Sequence, residues 1–230
     1  MRHKGLIILA AALAASCNPQ RWLPEGQTWI RRIELTEGAQ VRSDDKYLEL
    51  IQIQTNTNVL GSYPYVALYQ RGAHKPNTRR GRWLQNIGEA PALLDTSKVA
   101  ETVMQLERKL RQEGYFFAKV GHEVVQGPRG TTLKFDLQRG KATRLGTVVP
   151  EVYAPAIEDQ MTTLRMGSLL VPGMRLSRDM LESERKRIAD FLKEHGFFTI
   201  GPEAVGFDLD TLGHPYRADG YWLIHNWVRD

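Results

Sequence analysis

The side chains able to carry covalent or acid-base chemistry are few and scattered. His3, His74, His122, His195, His214 and His225 lack the close spacing to a second histidine, a cysteine or a carboxylate pair that a metal site needs. Cys17 is the single cysteine, so no disulfide closes within the chain and no second thiol completes a metal or redox pair. No G-x-S-x-G turn and no phosphate-cradling glycine loop occurs. Asp208 and Asp210 flank Leu209 on one face of an expected strand and should meet solvent. The sequence therefore reads as non-enzymatic, with no catalytic residue, metal ligand or cofactor expected.

What remains is acylation at one thiol and recognition through backbone and charge. Cys17 follows a basic start (Arg2, His3, Lys4), an apolar run from Leu6 to Ala15, and small residues, the order of an export signal over 1–17. The run is about half of the roughly 20 apolar residues that a membrane-crossing helix needs, so cleavage is expected rather than a permanent span. Leu13-Ala14-Ala15-Ser16-Cys17 resembles a bacterial lipobox, in which the cysteine is acylated and becomes the new N-terminus. Ordinary secretory cleavage is the alternative, because Ala14 and Ser16 also suit that peptidase. Each attached chain would bury methylenes at about 0.8 kcal/mol apiece, and a stable anchor takes more than one chain. Asn18, standing where an aspartate would favour inner-membrane retention, directs the expectation to the outer membrane.

The composition, 42% hydrophobic and 25% charged over 230 residues, is that of a folded chain with one or two cores. The formal charge of +5 falls to +3 once Arg2 and Lys4 leave with the signal, 29 basic residues against 26 acidic. A solvated surface accounts for so mild a surplus, and export argues against nucleic acid as a partner. Five cations, Arg71, Lys75, Arg79, Arg80 and Arg82, stand among the Gly, Pro and Asn of 70–88. This stretch is predicted to be an exposed basic loop: either a solvated connection, or a contact for phospholipid headgroups or an acidic partner protein. Trp83 is expected to pin the loop to its domain.

Periodicity supplies the elements that would position these residues. Residues 18–28, with Pro19, Pro24 and Gly26, form an extended tether. Trp29 to Leu35 alternates as a strand and stops at Glu37-Gly38. Asp44 or Asp45 caps a helix carrying Tyr47, Leu48 and Ile51, followed by polar residues Gln54 to Asn58 and a short apolar segment from Tyr63 to Tyr69. From Thr96 to Glu113, Val99, Val103, Leu106 and Leu110 recur at helical spacing, and Gly114 closes the helix. Tyr115 to Val125 and Thr131 to Gln138 form a hairpin about Gln126-Gly127-Pro128-Arg129-Gly130, with Leu133, Phe135 and Leu137 inward.

The same order then recurs: a strand near Leu145 to Val152, a helical segment near Pro155 to Leu164, a helix from Arg178 to Glu194 closed by Gly196, and a strand pair. That pair has Val205, Phe207 and Leu209 on one face and Tyr221 to His225 as partner. A shift of 82 residues places Val99 on Leu181, Leu106 on Ile188, Leu110 on Leu192, Gly114 on Gly196, and Tyr115-Phe116 on Phe197-Phe198. Two copies of a β-α-α-β-β unit are expected, 29–141 and 142–230.

Cys17 through Gly26, the Asn86-Ile87-Gly88-Glu89-Ala90-Pro91-Ala92-Leu93-Leu94-Asp95 run, and the helix ending in Gly114-Tyr115-Phe116 carry a resemblance. Together they resemble the periplasmic front end of lipoprotein-type outer-membrane assembly factors of the bacterial surface antigen superfamily, relatives of BamA and TamA. Ala90 stands where a second proline is the family's habit. The repeated unit of that family is the POTRA (polypeptide-transport-associated) domain. The resemblance implies an α+β fold of two tandem units, each a three-stranded mixed sheet with two helices on one face and the last strand central. It also implies an outer-membrane, periplasm-facing location, with unfolded barrel clients or an assembly-complex protein as partners. Further units and a membrane barrel would follow in the family. A minimal barrel takes about 8 strands of about 9 to 11 residues each, for which the helices above leave no room. The chain is thus expected to be either the front part of a barrel protein or a free-standing adaptor.

In such a unit the first and second strands are edges, whose free N–H and C=O groups can accept an extended segment. Phe117 to Val125 and Thr199 to Leu209 are the expected edges, with Lys119, Val120, Gly121, His122 and Glu123 as the contact residues of the first. The charges at Lys119 and Glu123 and the glycine between them serve equally well to protect an edge from pairing.

Overall fold

The computed structural model describes residues 23–127, 130–152, 155–211, 213–214 and 216–224. Cys17 and the rest of the expected signal, the start of the tether, Pro128 and Arg129 of the expected turn, and His225 lie outside the described residues. The architecture is α+β with two mixed sheets. The chain divides into two compact units, one running to Leu106 and resuming over Val120–Gln138, the other made of Glu107–Lys119 and the residues from Arg139 onward.

In the first unit β1 (Ile30–Glu37) runs parallel to β4 (Gly130–Gln138) and antiparallel to the short β2 (Gln40–Arg42), while β3 (Lys119–Gly127) lies beyond β4, giving the order β2-β1-β4-β3. Alternation along β4 buries Leu133, Phe135 and Leu137, as their spacing dictates. The sheet has one strand more than the three expected, because β2 folds back onto the end of β1 through Gly38. Four helices lie along the chain between β2 and β3: α1 (Asp45–Leu48), α2 (Pro64–Ala73), α3 (Arg79–Ile87) and α4 (Thr96–Gln112), the last of which runs past Leu106 into the second unit.

Two expectations need correction here. The helix expected from Asp44 or Asp45 is a single turn that buries Tyr47 and ends before Ile51. Asp44 occupies its N-cap without a side-chain cap bond, and past Leu48 the chain tightens into three-residue turns, Leu50 N donating to Tyr47 O and Ile51 N to Leu48 O. The apolar segment from Tyr63 to Tyr69 is the body of α2, entered through Pro64 at its first position. Residues 70–88 are not a loop but the end of α2, a turn, and all of α3. Thr78 starts α3 by accepting a hydrogen bond from Gly81 N at 3.0 Å. The two helices approach so closely that a Cβ at Gly72 would stand 2.5 Å from the Gly81 carbonyl oxygen, and one at Gly81 would collide with the Lys75 carbonyl.

The second unit keeps three strands, β5 (Arg144–Val152), β6 (Val205–Asp210) and β7 (Arg217–Ile224), in the order β5-β7-β6, with β7 parallel to β5 and antiparallel to β6. A 3-10 turn (Pro155–Gln160) leads into α5 (Met161–Met166), and α6 spans Arg178–Glu194, the range its periodicity predicts. One core joins β5 (Leu145), α5 (Met161, Leu164), α6 (Ile188, Leu192) and the inner face of β7 (Ala218, Trp222, Ile224). Thus both helices and one sheet face bury the same apolar surface.

The internal repeat is geometric as well as textual. In the first unit Ile30 N donates to Ala92 O and Leu94 N to Thr28 O, with Trp29 bridged to Leu93; in the second Leu145 N donates to Met174 O and Leu176 N to Thr143 O, with Arg144 bridged to Arg175. The helix-side partners (92 and 174, 94 and 176) are offset by 82, the strand-side partners (28 and 143, 30 and 145) by 115, so the first unit carries 33 residues more between them. β2, α1 and an extended stretch to about residue 62 lie in this longer connection. The equivalent caps agree too: Asp95 accepts from Ser97 N and Ser177 from Met180 N, and Gly114 and Gly196 take φ of 94° and 95°.

Candidate functional site

The first sheet has two very different edges. On the β1 side the backbone is occupied at both ends: residues 28–30 bond to 92–94, and 35–37 to β2. Asn56, only 5% exposed, fastens this closure. Its carboxamide oxygen accepts from Trp29 Nε1 at 2.8 Å and Ala92 N at 2.7 Å, and its nitrogen donates to Ala90 O at 2.7 Å. Trp29 is fully buried, edge-on to Tyr63 at 4.8 Å, and Tyr63 donates to Arg31 O at 2.9 Å. The Glu89-Ala90-Pro91-Ala92 stretch is therefore part of the scaffold, since Ala90 and Ala92 hold Asn56, and Glu89 accepts from Thr57 N. Nothing in the local pattern of Gln54 to Asn58 announces this, because it reads as a polar connection.

The other edge is β3, the terminal strand of the sheet and nine residues long. Lys119, Val120, Gly121, His122 and Glu123 all lie on it; Val120 is buried, Gly121 partly, and Lys119, His122 and Glu123 are exposed. The strand begins four residues later than Tyr115, where the sequence placed its start. After the left-handed Gly114 the chain turns again, with Ala118 N donating to Tyr115 O, so Tyr115 to Ala118 form a turn. Likewise the stretch from Thr199 contains a 3-10 turn, Pro202–Ala204, before β6 starts at Val205.

The cations come together on the helical hairpin: Arg71 ends α2, Lys75 lies in the turn, and Arg79, Arg80 and Arg82 occupy the first turn of α3, all exposed. Three arginines at a helix N-terminus oppose the macrodipole, which concentrates positive potential there. Trp83 does not pin the segment, for it is 59% exposed beside these arginines. No acidic residue occurs from Leu50 to Gly88. Hairpin and β3 are separate elements, so the expected contact residues form two surfaces.

The second unit holds a buried polar cluster that sequence reading missed. Glu184 on α6 is fully buried and accepts from Ser168 Oγ at 2.8 Å, Leu169 N at 2.9 Å, and Arg187 Nε and Nη2, each at 2.8 Å. Burial pushes its carboxyl up, but the Arg187, Leu169 and Ser168 hydrogen bonds outweigh burial and hold it below the usual range. The cluster ties the connection after α5 to α6. Its signal was present, because Glu184 falls on the apolar stripe of Leu181 and Ile188. Asp208 and Asp210 are exposed, as expected, and Tyr221 donates to Asp208 at 2.9 Å. Among the described residues no His, Cys, Asp and Glu cluster could hold a metal, and no helix is long and apolar enough to cross a membrane.

Residues 30–140, just under half of the chain, match the POTRA family model, described as surface antigen variable number repeat. No curated protein matches the chain. Among solved structures, BamA from Haemophilus ducreyi lacking POTRA domains 1–3 is 19% identical, with 76% of this chain and 28% of that one covered and a TM-score of 0.35. The Haemophilus influenzae BamA POTRA3–5 structure is 14% identical over 89% of this chain and 99% of its own, with a TM-score of 0.32. POTRA1–2 of the periplasmic domain of Omp85 from Anabaena is 10% identical, covering 86% and 96%, with a TM-score of 0.36. The chain thus spans under a third of the first of these. The family match concerns residues 30–140 alone, and similarities of this size carry no argument.

Proposed function

We propose that this chain is the periplasmic, tandem POTRA region of an outer-membrane protein assembly or translocation factor, with domains at 29–141 and 142–230 and a lipid anchor at Cys17. In this reading β3 receives extended segments of unfolded barrel clients, or of a partner protein, by strand addition. The observation that supports it is the asymmetry of the first sheet. β2, residues 92–94 and Asn56 close the β1 side, whereas β3 is a long terminal strand whose outward groups suit an extended chain of almost any sequence.

Proline substitution along β3 tests the reading. Neighbouring amides in a strand point to opposite sides, so His122→Pro and Glu123→Pro differ: one removes a donor from the ladder to β4, the other only an outward donor. The variant that keeps the native melting curve is expected to lose binding of a urea-unfolded outer-membrane barrel protein diluted into buffer. Undiminished binding by that variant would contradict strand addition at β3.

A second reading is favoured by the cationic hairpin: a free-standing outer-membrane lipoprotein adaptor that contacts anionic lipid or a partner through Arg71, Lys75, Arg79, Arg80 and Arg82. The acid-free run and exposed Trp83 beside three arginines support it. This contact would weaken with salt, while strand addition resists moderate salt. In outer-membrane fractions, a band that stays near 26.2 kDa with and without boiling fits the adaptor. A larger band that shifts on heating fits the barrel protein.

A further inference from the structure

Between the two closed ends of β1 lies a cleft of about 360 Å³, lined by Arg31, Arg32, Thr55, Asn56, Asn58 and Tyr63. Its far wall belongs to the 33-residue insertion that the second unit lacks, so the cleft has no counterpart in the repeat. The β1–β4 register slips between Ile30 and Arg32, which pair with the adjacent residues Thr131 and Thr132. Arg31 is therefore the extra residue of a bulge, and a bulge re-aims side chains. Two successive arginines, which a regular strand would send to opposite faces, consequently line the same cleft.

The donors there exceed the acceptors. Arg31 is partly buried, and among the described residues its guanidinium has no hydrogen bond or ion pair; the Thr55 hydroxyl has none either. Asn58 spends its oxygen on Gly61 N at 3.0 Å, which leaves its amide N–H groups to the cleft. Arg32 pairs with Glu34 at 2.9 Å but remains 68% exposed. No lining residue is acidic. A planar guanidinium fork beside a hydroxyl and a carboxamide is the chemistry that takes an oxyanion in bidentate fashion. The volume is that of a small-molecule site rather than of a bare ion.

We infer that this cleft binds a phosphate or carboxylate oxyanion carried on a small polar body, with Arg31 as its fork and Thr55 and Asn58 as secondary donors. The inference is independent of strand addition at β3 and uses none of its residues. The oxyanion has two possible sources, a free solute or a lipid headgroup, and the test separates them.

Backbone NMR of the full chain is titrated with sn-glycerol 3-phosphate, with inorganic phosphate as a second probe. Saturable shifts are expected at Arg31 to Ile33 and at Thr55 to Gly61, with at least tenfold weaker binding in Arg31→Gln and a smaller loss in Arg31→Lys, which keeps charge without the fork. Exposed Thr55→Val is expected to weaken binding a few-fold with an unchanged melting curve, so the test survives a destabilised Arg31 variant. Arg80→Gln on α3 should bind as the unaltered protein does. Phosphatidylglycerol vesicles that displace the probe identify a headgroup; failure to displace it identifies a free solute. Absence of saturable shifts at about 10 mM probe, where a millimolar site would be mostly filled, would overturn the inference. So would equal affinity in Arg31→Gln and Thr55→Val.

Discussion

Replacing Glu184 with alanine removes a carboxylate that accepts four hydrogen bonds and faces Arg187 at 2.8 Å. Breaking a buried ion pair by deleting one partner costs about 3–5 kcal/mol, because the other charge is left without compensation. Here the survivor is 23% exposed, so water can reach it and the expected loss lies near the lower end, about 3 kcal/mol. Urea unfolding followed through the indole resonance of Trp222, buried in the same core, reads this unit separately. The pH dependence gives an independent check. The folded Glu184 carboxyl lies below its ordinary range, so its stabilisation is complete above the unfolded value of about 4.3 and disappears as pH falls through the folded value. The gap between native protein and Glu184→Ala should thus be full at neutral pH and shrink in acid. A variant within about 0.5 kcal/mol of the native protein at pH 7 would refute the argument, since ordinary surface substitutions already span that much. An equal gap at both pH values would refute it as well.

Asn56→Ala leaves Trp29 Nε1, Ala92 N and Ala90 O without their partner, and should destabilise the first unit by about 3 kcal/mol, measured as a shifted urea midpoint for the Trp29 indole resonance. Gly81→Ala drives a Cβ into the Lys75 carbonyl and is expected to cost about 1–3 kcal/mol, with faster amide exchange confined to α2 and α3. Neutralising Arg79, Arg80 and Arg82 to glutamine should remove any salt-sensitive flotation with anionic vesicles while leaving the melting curve within about 0.5 kcal/mol.

Some elements were legible because local and tertiary signals agree. The apolar spacing of α6 and the closing Gly196 mark the same helix, which the structure places at Arg178–Glu194, about where they put it. Offset repeats pointed to the second unit because the stripes and the closing glycines were retained, and the structure adds matching caps at Asp95 and Ser177. The hairpin at 70–88 was misread for an opposite reason. Pro76, Asn77, two glycines and three arginines at the start of α3 all argue locally against helix, and the deciding forces are the Thr78 cap and the Gly72–Gly81 approach. The insertion with β2 and Asn56 has no partner in the repeat, and its hydrogen bonds reach 34 to 36 residues along the chain, so no short window contains them. Of the candidate surfaces, the β3 residues were placed on the strand they occupy. The cleft was not foreseeable, because it depends on a bulge at Arg31 that alternation alone cannot register.

The most direct test of strand addition is amide hydrogen exchange across Lys119–Gly127 in the full chain, with and without a urea-unfolded outer-membrane barrel protein diluted into buffer. The account expects added protection at every second amide of β3 and none along β1, whose outer side is already taken at both ends. Protection confined to Arg79–Ile87, or none in β3, would contradict it.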